Sequence, residues 1–293
     1  MTARPVDRAC YVVGAVLMAS GLFHVGVLVV TGGSWQGPLS WRKPATFGVS
    51  FGLTLITIAW VSSYIRLGRR TRNWLLSLFA GACVLEVSFI TLQAWRRVPS
   101  HFNLETPFDG LVARTLAVGG GVLISVIAVL TIASWRADRQ VAPSMRLAVR
   151  AGLVALDVAV LVGAVMIATG ISRALGGDQQ AAYAVGGALK PAHAVTMHGV
   201  LVLPAMAWLL AQAGWPEHRR VRVVWLAVAG YALLAGVIVA ESFAGVSPLQ
   251  APAAATILAA AGGLAIGTTG LLSVVAHLRR PSPTRQARTM PRA

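Results

Sequence analysis

The sequence predicts an all-α polytopic membrane protein: eight transmembrane helices in two tandem four-helix repeats, with both termini cytoplasmic. Three observations carry that prediction. The 293-residue chain is 56% hydrophobic and only 12% charged, with a mean hydropathy of +0.71, whereas soluble domains carry about a quarter charged residues. Eight apolar stretches reach the roughly 20 residues that a helix needs to cross a bilayer. Short motifs also recur in the two halves of the chain in the same order.

The first stretch, 9–31, follows "MTARPVDR"; its length and the seven stretches behind it make it a retained helix rather than a cleaved leader. The second, 44–65, opens at Lys43-Pro44-Ala45, and proline in the first helical turn sacrifices no hydrogen bond. The third, 74–95, follows an arginine-rich loop and carries Glu86 and Gln93. A polar loop, "RRVPSHFNLETPFDG", leads to the fourth, 111–134, whose glycines at 119–121 suit close helix packing. The fifth, 150–172, holds Asp157, seven residues from Arg150 and on the same helical face, so an ion pair is expected there. The sixth, 192–213, opens at Lys190-Pro191-Ala192 and contains Pro204, which frees the carbonyl of Val200; this suits either a kink one turn below His198 or a proline simply tolerated, as in many membrane helices. The seventh, 222–243, ends with Glu241, and the eighth, 253–278, carries Gly262 and Gly263. Residues 1–140 and 141–280 thus form two four-helix units, and 281–293 a basic, disordered cytoplasmic tail.

Basic residues set the orientation. Eighteen arginines fall in the N-terminal tail, the loops after the second, fourth and sixth spans, and the C-terminal tail; only seven Arg and Lys fall on the other side. Cytoplasmic loops carry that excess, which places the chain in the plasma membrane with both termini inside. The net charge of +16 is therefore topology, with anionic headgroups at the cytoplasmic face as its partner, and not a nucleic-acid surface. Cys10 and Cys83 both lie in apolar stretches and support neither a disulfide framework nor a cysteine metal motif.

The duplication rests on "VGAVLMASG" (13–21) against "VGAVMIATG" (162–170), and on "RKPATFGVSFG" (42–52) against "LKPAHAVTMHG" (189–199). Four spans per unit give both units one orientation and a pseudo-twofold axis along the membrane normal. The Lys-Pro-Ala elements point two helix N-termini outward beside Arg42, Lys43 and Lys190. Such an end favours an anion, although a plain helix start with snorkelling side chains has the same sequence.

Polar residues collect on the outer side. His24 lies roughly 10 Å and His198 roughly 9 Å below the outer membrane boundary. His193 sits at that boundary, with Glu86 deeper. Gln93 and Glu241 lie near outer helix ends, and His101, Asn103 and Glu105 in the adjoining loop. Intramembrane ionisable residues face a bundle interior or a water-filled cavity. His193 and His198, five residues apart, are rotated by roughly 140° on a straight helix and do not share a small ion. His218 and His277 belong to the arginine-rich side.

The motifs "SWRKPATFG", "LQAWRRVPSHFN" and "KPAHAVTMHGVLVLP" resemble those of a family of bacterial multi-pass membrane proteins without an assigned activity. The resemblance covers most of the chain and implies a bacterial inner-membrane setting. The tandem four-helix layout is also similar in architecture to haem A synthase. The histidine pairs of that enzyme would fall in the second, fourth, sixth and eighth spans. Here the second and fourth have none, and the eighth has only His277 at its other end, so the activity is not carried over.

Two functions of different class follow. One is a haem- or metal-binding protein, quinone- or redox-linked, with haem b or a metal ion held by His24 and His198, a role imidazole suits, and with Arg42, Lys43 and Lys190 pairing propionates. The other is a transporter or permease for a small polar or anionic solute, which the repeat, the kinked sixth helix and Glu86 suit. An enzyme using Ser100, His101 and Asp109 has the residue types of a triad without evident geometry. A non-catalytic assembly or partner protein is equally compatible with the residues.

Overall fold

A computed structural model describes residues 4–136, 138–247 and 250–279; the basic tail 281–293 lies outside the described residues. Among these, eight helical stretches are long and apolar enough to cross a membrane. They are α1 (Pro5–Thr31), α2 (Arg42–Val61, extended by a 3-10 turn Ser62–Tyr64), α3 (Arg69–Trp95), α4 (Pro107–Ser134), α5 (Pro143–Leu175), a sixth span made of α6 (Gln179–Ala184), α7 (Gly186–Met197) and α8 (Gly199–Gln212), then α9 (Glu217–Phe243) and α10 (Ala253–Leu278). Local sequence explains most boundaries. Pro5, Pro107 and Pro143 each sit in a first turn, where the missing N–H costs nothing. Thr106 caps α4 by accepting from the backbone N–H of Asp109 at 3.1 Å, and Asp178 caps α6 by accepting from that of Ala181 at 3.0 Å.

The sixth span departs from expectation. Pro191 does not start it: the helix begins a dozen residues earlier, and Pro191 lies inside α7. The span is interrupted at His198, between α7 and α8 and about a turn and a half before Pro204, which itself lies inside α8. There Tyr231 of α9 donates its hydroxyl to the carbonyl of Val195, supplying a donor where the helical ladder is interrupted.

Helices α1 and α2 pack through small residues. A Cβ on Gly14 would lie 2.8 Å from the Gly52 carbonyl, and one on Gly21 2.5 Å from the Val49 nitrogen. In membranes such glycines let backbones approach and gain dispersion contacts. The second half does not repeat this register. By sequence match, Gly199 corresponds to Gly52 and Gly163 to Gly14, yet Gly199 lies beside Gly152, about three turns from Gly163. His193 occupies the place against Gly163, and the ring of Phe102 fills that against Gly170.

The α3–α4 loop therefore clamps one half to the other. Phe102, at φ 64°, inserts its ring on Gly170 of α5, and its carbonyl accepts from Gln179 Nε2 at 2.6 Å. A non-glycine residue holds a left-handed φ only when its surroundings fix it; here the ring contact and the hydrogen bond do so. At the opposite end of the bundle, Arg72 donates to Asp7 Oδ1 at 2.7 Å and to the Ala59 carbonyl at 3.1 Å, tying α1, α2 and α3 together with both side chains buried. The expected Arg150–Asp157 pair is absent. Arg150 instead donates to the Ser134 and Trp135 carbonyls at 3.0 and 3.3 Å, capping the end of α4, where carbonyls lack helical partners.

Candidate functional site

The polar residues singled out above gather mostly at the end of the bundle that holds the α1–α2 and α3–α4 loops, but as three separate groups. The first surrounds His24, which is 2% exposed. Its Nδ1–H donates to the Ser20 carbonyl at 2.7 Å, and its Nε2 accepts from the Trp95 indole N–H at 3.1 Å. Trp41 stacks on the imidazole, with ring centroids 6.0 Å apart, and Arg97 lies over Trp41 at 4.7 Å. A neutral imidazole has one donor and one acceptor nitrogen. Both are used here, so His24 acts as a packing and hydrogen-bonding centre between α1 and α3.

The second group closes the α3–α4 loop. Asp109, 2% exposed, accepts from Gln93 Nε2 at 2.8 Å, from Arg96 and from the Thr106 hydroxyl at 2.6 Å. Arg96 also donates to Gln93 Oε1. Asn103 is fully buried; its Oδ1 accepts from the Glu105 backbone, while its Nδ2 finds no partner. The Glu105 side chain is exposed. His101 pairs with the Ser100 hydroxyl at 2.9 Å and tilts against Phe47. Burial, with Lys43 nearby, pushes the His101 imidazole down to about 3, so it is neutral at neutral pH. Asp109 is occupied by Arg96, Gln93 and Thr106, and no contact joins it to His101, so the triad residue types do not assemble.

The third group is cationic and spans both halves. Lys43 at the start of α2 interacts electrostatically with Arg42 and with Lys190 of α7, and Lys190 with Arg42. The three ion pairs among the described residues, Arg72–Asp7, Arg96–Asp109 and Arg220–Glu217, leave all three cations without an acidic partner. Arg42 donates Nε to the Trp35 carbonyl at 2.9 Å. Close by in the chain, the Trp41 indole N–H is buried and unpartnered.

The remaining candidates stand apart. Glu86 is buried with its carboxylate against Gly119 of α4. Glu241 is buried at the end of α9 with Oε1 unpartnered. His193 donates Nδ1–H to the Ala159 carbonyl at 2.8 Å. His198 donates to the Ala194 carbonyl at 2.6 Å and lines a shallow cleft between α7–α8 and α2 that includes Ser50, Thr54 and Thr57. His24 and His198 share no hydrogen bond or ring contact among the described residues. No group of three or more His, Cys, Asp and Glu side chains among them is placed to hold a metal ion.

Sequence reasoning missed the partners of these residues: Trp41 and Trp95 for His24, Asp109 and Arg96 for Gln93, and Asp7 for Arg72. One signal was present. Asp7 is the sole acid before Glu86, and a lone acid at the base of an arginine-flanked helix calls for a cation. No protein-family model, curated protein or solved structure matches the chain. The fold and site define a polytopic helical membrane protein with a cationic group that has no acidic partner among the described residues.

Proposed function

We propose that the protein recognises a small anionic solute and belongs functionally with permeases. The observation that carries this reading is that Arg42, Lys43 and Lys190, from both halves of the chain, lie within electrostatic range of one another with no acidic partner among the described residues. Like charges brought together at a membrane boundary repel one another, and a bound anion relieves the repulsion. The helix start at Arg42 adds the positive end of its dipole. Buried donors without acceptors, Trp41 Nε1–H and Asn103 Nδ2–H, occur at the same end and favour an acceptor-rich ligand. The arginine distribution makes that end the outward one.

The haem or metal reading has less support. His24 has no free lone pair while Trp95 donates to it, and His198 lies in separate surroundings. In proteoliposomes, the permease reading expects uptake of at least one of chloride, sulfate, phosphate or a small carboxylate, lost on Lys43→Gln and weakened on Lys190→Gln. Absence of both uptake and binding for all four overturns it.

A further inference from the structure

We propose that Glu86 is a proton-binding site through which the protein carries one proton with each anion, an inference that rests on the permease reading above and names the co-transported ion. Its side chain has no partner. Glu86 is 4% exposed and lies on the membrane-crossing helix α3. The ion pairs among the described residues involve other acids, and neither a donor nor a charged side chain of α1, α2 or α4 acts on it. Cys83, one turn away on α3, is the titratable group within electrostatic range. A lone carboxylate in hydrocarbon is costly and takes up a proton instead, and intramembrane acids of this kind serve as proton relays.

Helix α4 provides a cradle for the acid. A Cβ on Gly119 would lie 2.8 Å from Glu86 Oε1, whereas one on Gly120 or Gly121 would meet nothing within 4 Å. The small residue that admits the carboxyl is thus the one facing it, and its two neighbours leave open space.

The acid also stands in line with the cationic group. Ile90, one turn further out on the same face of α3, lines the wall beside Lys43. It also packs with Val112 and Leu116 of α4 in a small apolar layer, and Leu116 precedes Gly119 by about one turn. Glu86 therefore lies below the cations, with that layer between them. An anion moving inward opposes the interior-negative membrane potential, and a proton moving with it cancels the charge. In each cycle a carboxylate oxygen of Glu86 gains a proton from the outer side and loses it to the inner side.

A fluorescent, membrane-soluble carbodiimide tests the site without any anion. The acid adds its O–H across one C=N bond, the proton passes to nitrogen, and the O-acylisourea rearranges to a stable N-acylurea. Labelling of the purified full chain is expected at Glu86, located by peptide mass, falling as pH rises and absent in Glu86→Gln. No label, or label on Asp157 or Glu241 in place of Glu86, overturns the site. In proteoliposomes enclosing a pH dye, whichever of chloride, sulfate, phosphate and acetate is taken up should acidify the lumen beyond protein-free vesicles, and Glu86→Gln should abolish this. Uptake without acidification, or acidification that survives Glu86→Gln, shows the coupling to be wrong while the permease reading stands. Uptake of none of the four fells the permease reading and the coupling together, and the label then decides proton binding at Glu86 alone.

Discussion

The Trp95 indole donates its N–H to Nε2 of His24 at 3.1 Å, while the His24 Nδ1–H is held by the Ser20 carbonyl at 2.7 Å. This pairing turns an intramembrane histidine from a candidate ligand into a crosslink between α1 and α3. Trp95→Phe removes one buried hydrogen bond and is expected to cost about 1–3 kcal/mol, because the His24 acceptor is left unsatisfied. Thermal unfolding in detergent measures it. Haem b added to the wild-type protein is expected to give no His24-dependent absorption change, and a change abolished by His24→Gln would reverse this view.

The Asp7–Arg72 pair makes a second prediction. Arg72→Ala leaves a carboxylate buried without its partner, a loss of about 3–5 kcal/mol. The double variant Asp7→Ala/Arg72→Ala removes that uncompensated charge and should recover part of the stability. A double-variant loss equal to the sum of the Asp7→Ala and Arg72→Ala losses would show that the pair is not coupled.

The clamp between halves is testable at Gly170. A Cβ there would sit 2.3 Å from the Phe102 ring, so Gly170→Ala must displace the ring, at about 1–3 kcal/mol. Phe102→Ala in the same chain makes room and should lower that penalty. A neutral Gly170→Ala would mean that the loop yields freely.

Acid should destabilise the protein through His101. Its folded imidazole titrates at about 3 and its unfolded one near 6.5. Between those values the unfolded chain binds a proton that the folded chain does not, so stability rises with pH. The His101 contribution is complete above about 6.5 and is lost on acidification, at up to about 1.4 kcal/mol per pH unit. Moving from pH 7 to pH 5 is expected to cost at most about 2 kcal/mol through this group, a dependence that His101→Gln should flatten.

Apolar length and arginine placement made the eight spans readable before any coordinates, because hydrophobic thickness imposes itself on composition. The start of the sixth span was not readable. "DQQAAYAVGGALK" is too polar to register as membrane helix, and the proline at 191 invited a boundary that the chain passes through. At the site, Arg42, Lys43 and Lys190 were recognisable as a group because one motif, Lys-Pro-Ala, occurs twice. The status of His24 was not, since whether a histidine is free depends on Trp95, 71 residues away. Asp157 shows the same limit in reverse: a correct helical spacing from Arg150 counted for less than the open carbonyls at the end of α4.

The displacement of the sixth span by about three turns sets a stoichiometry. A duplicated chain folded symmetrically would offer two equivalent sites, one per half. Here the place in the second half that corresponds to the α1–α2 contact is taken by His193 and Phe102, and Lys190 lies within electrostatic range of Lys43. Ligand titration of the monomeric chain is therefore expected to saturate at a single equivalent, with no cooperativity between halves.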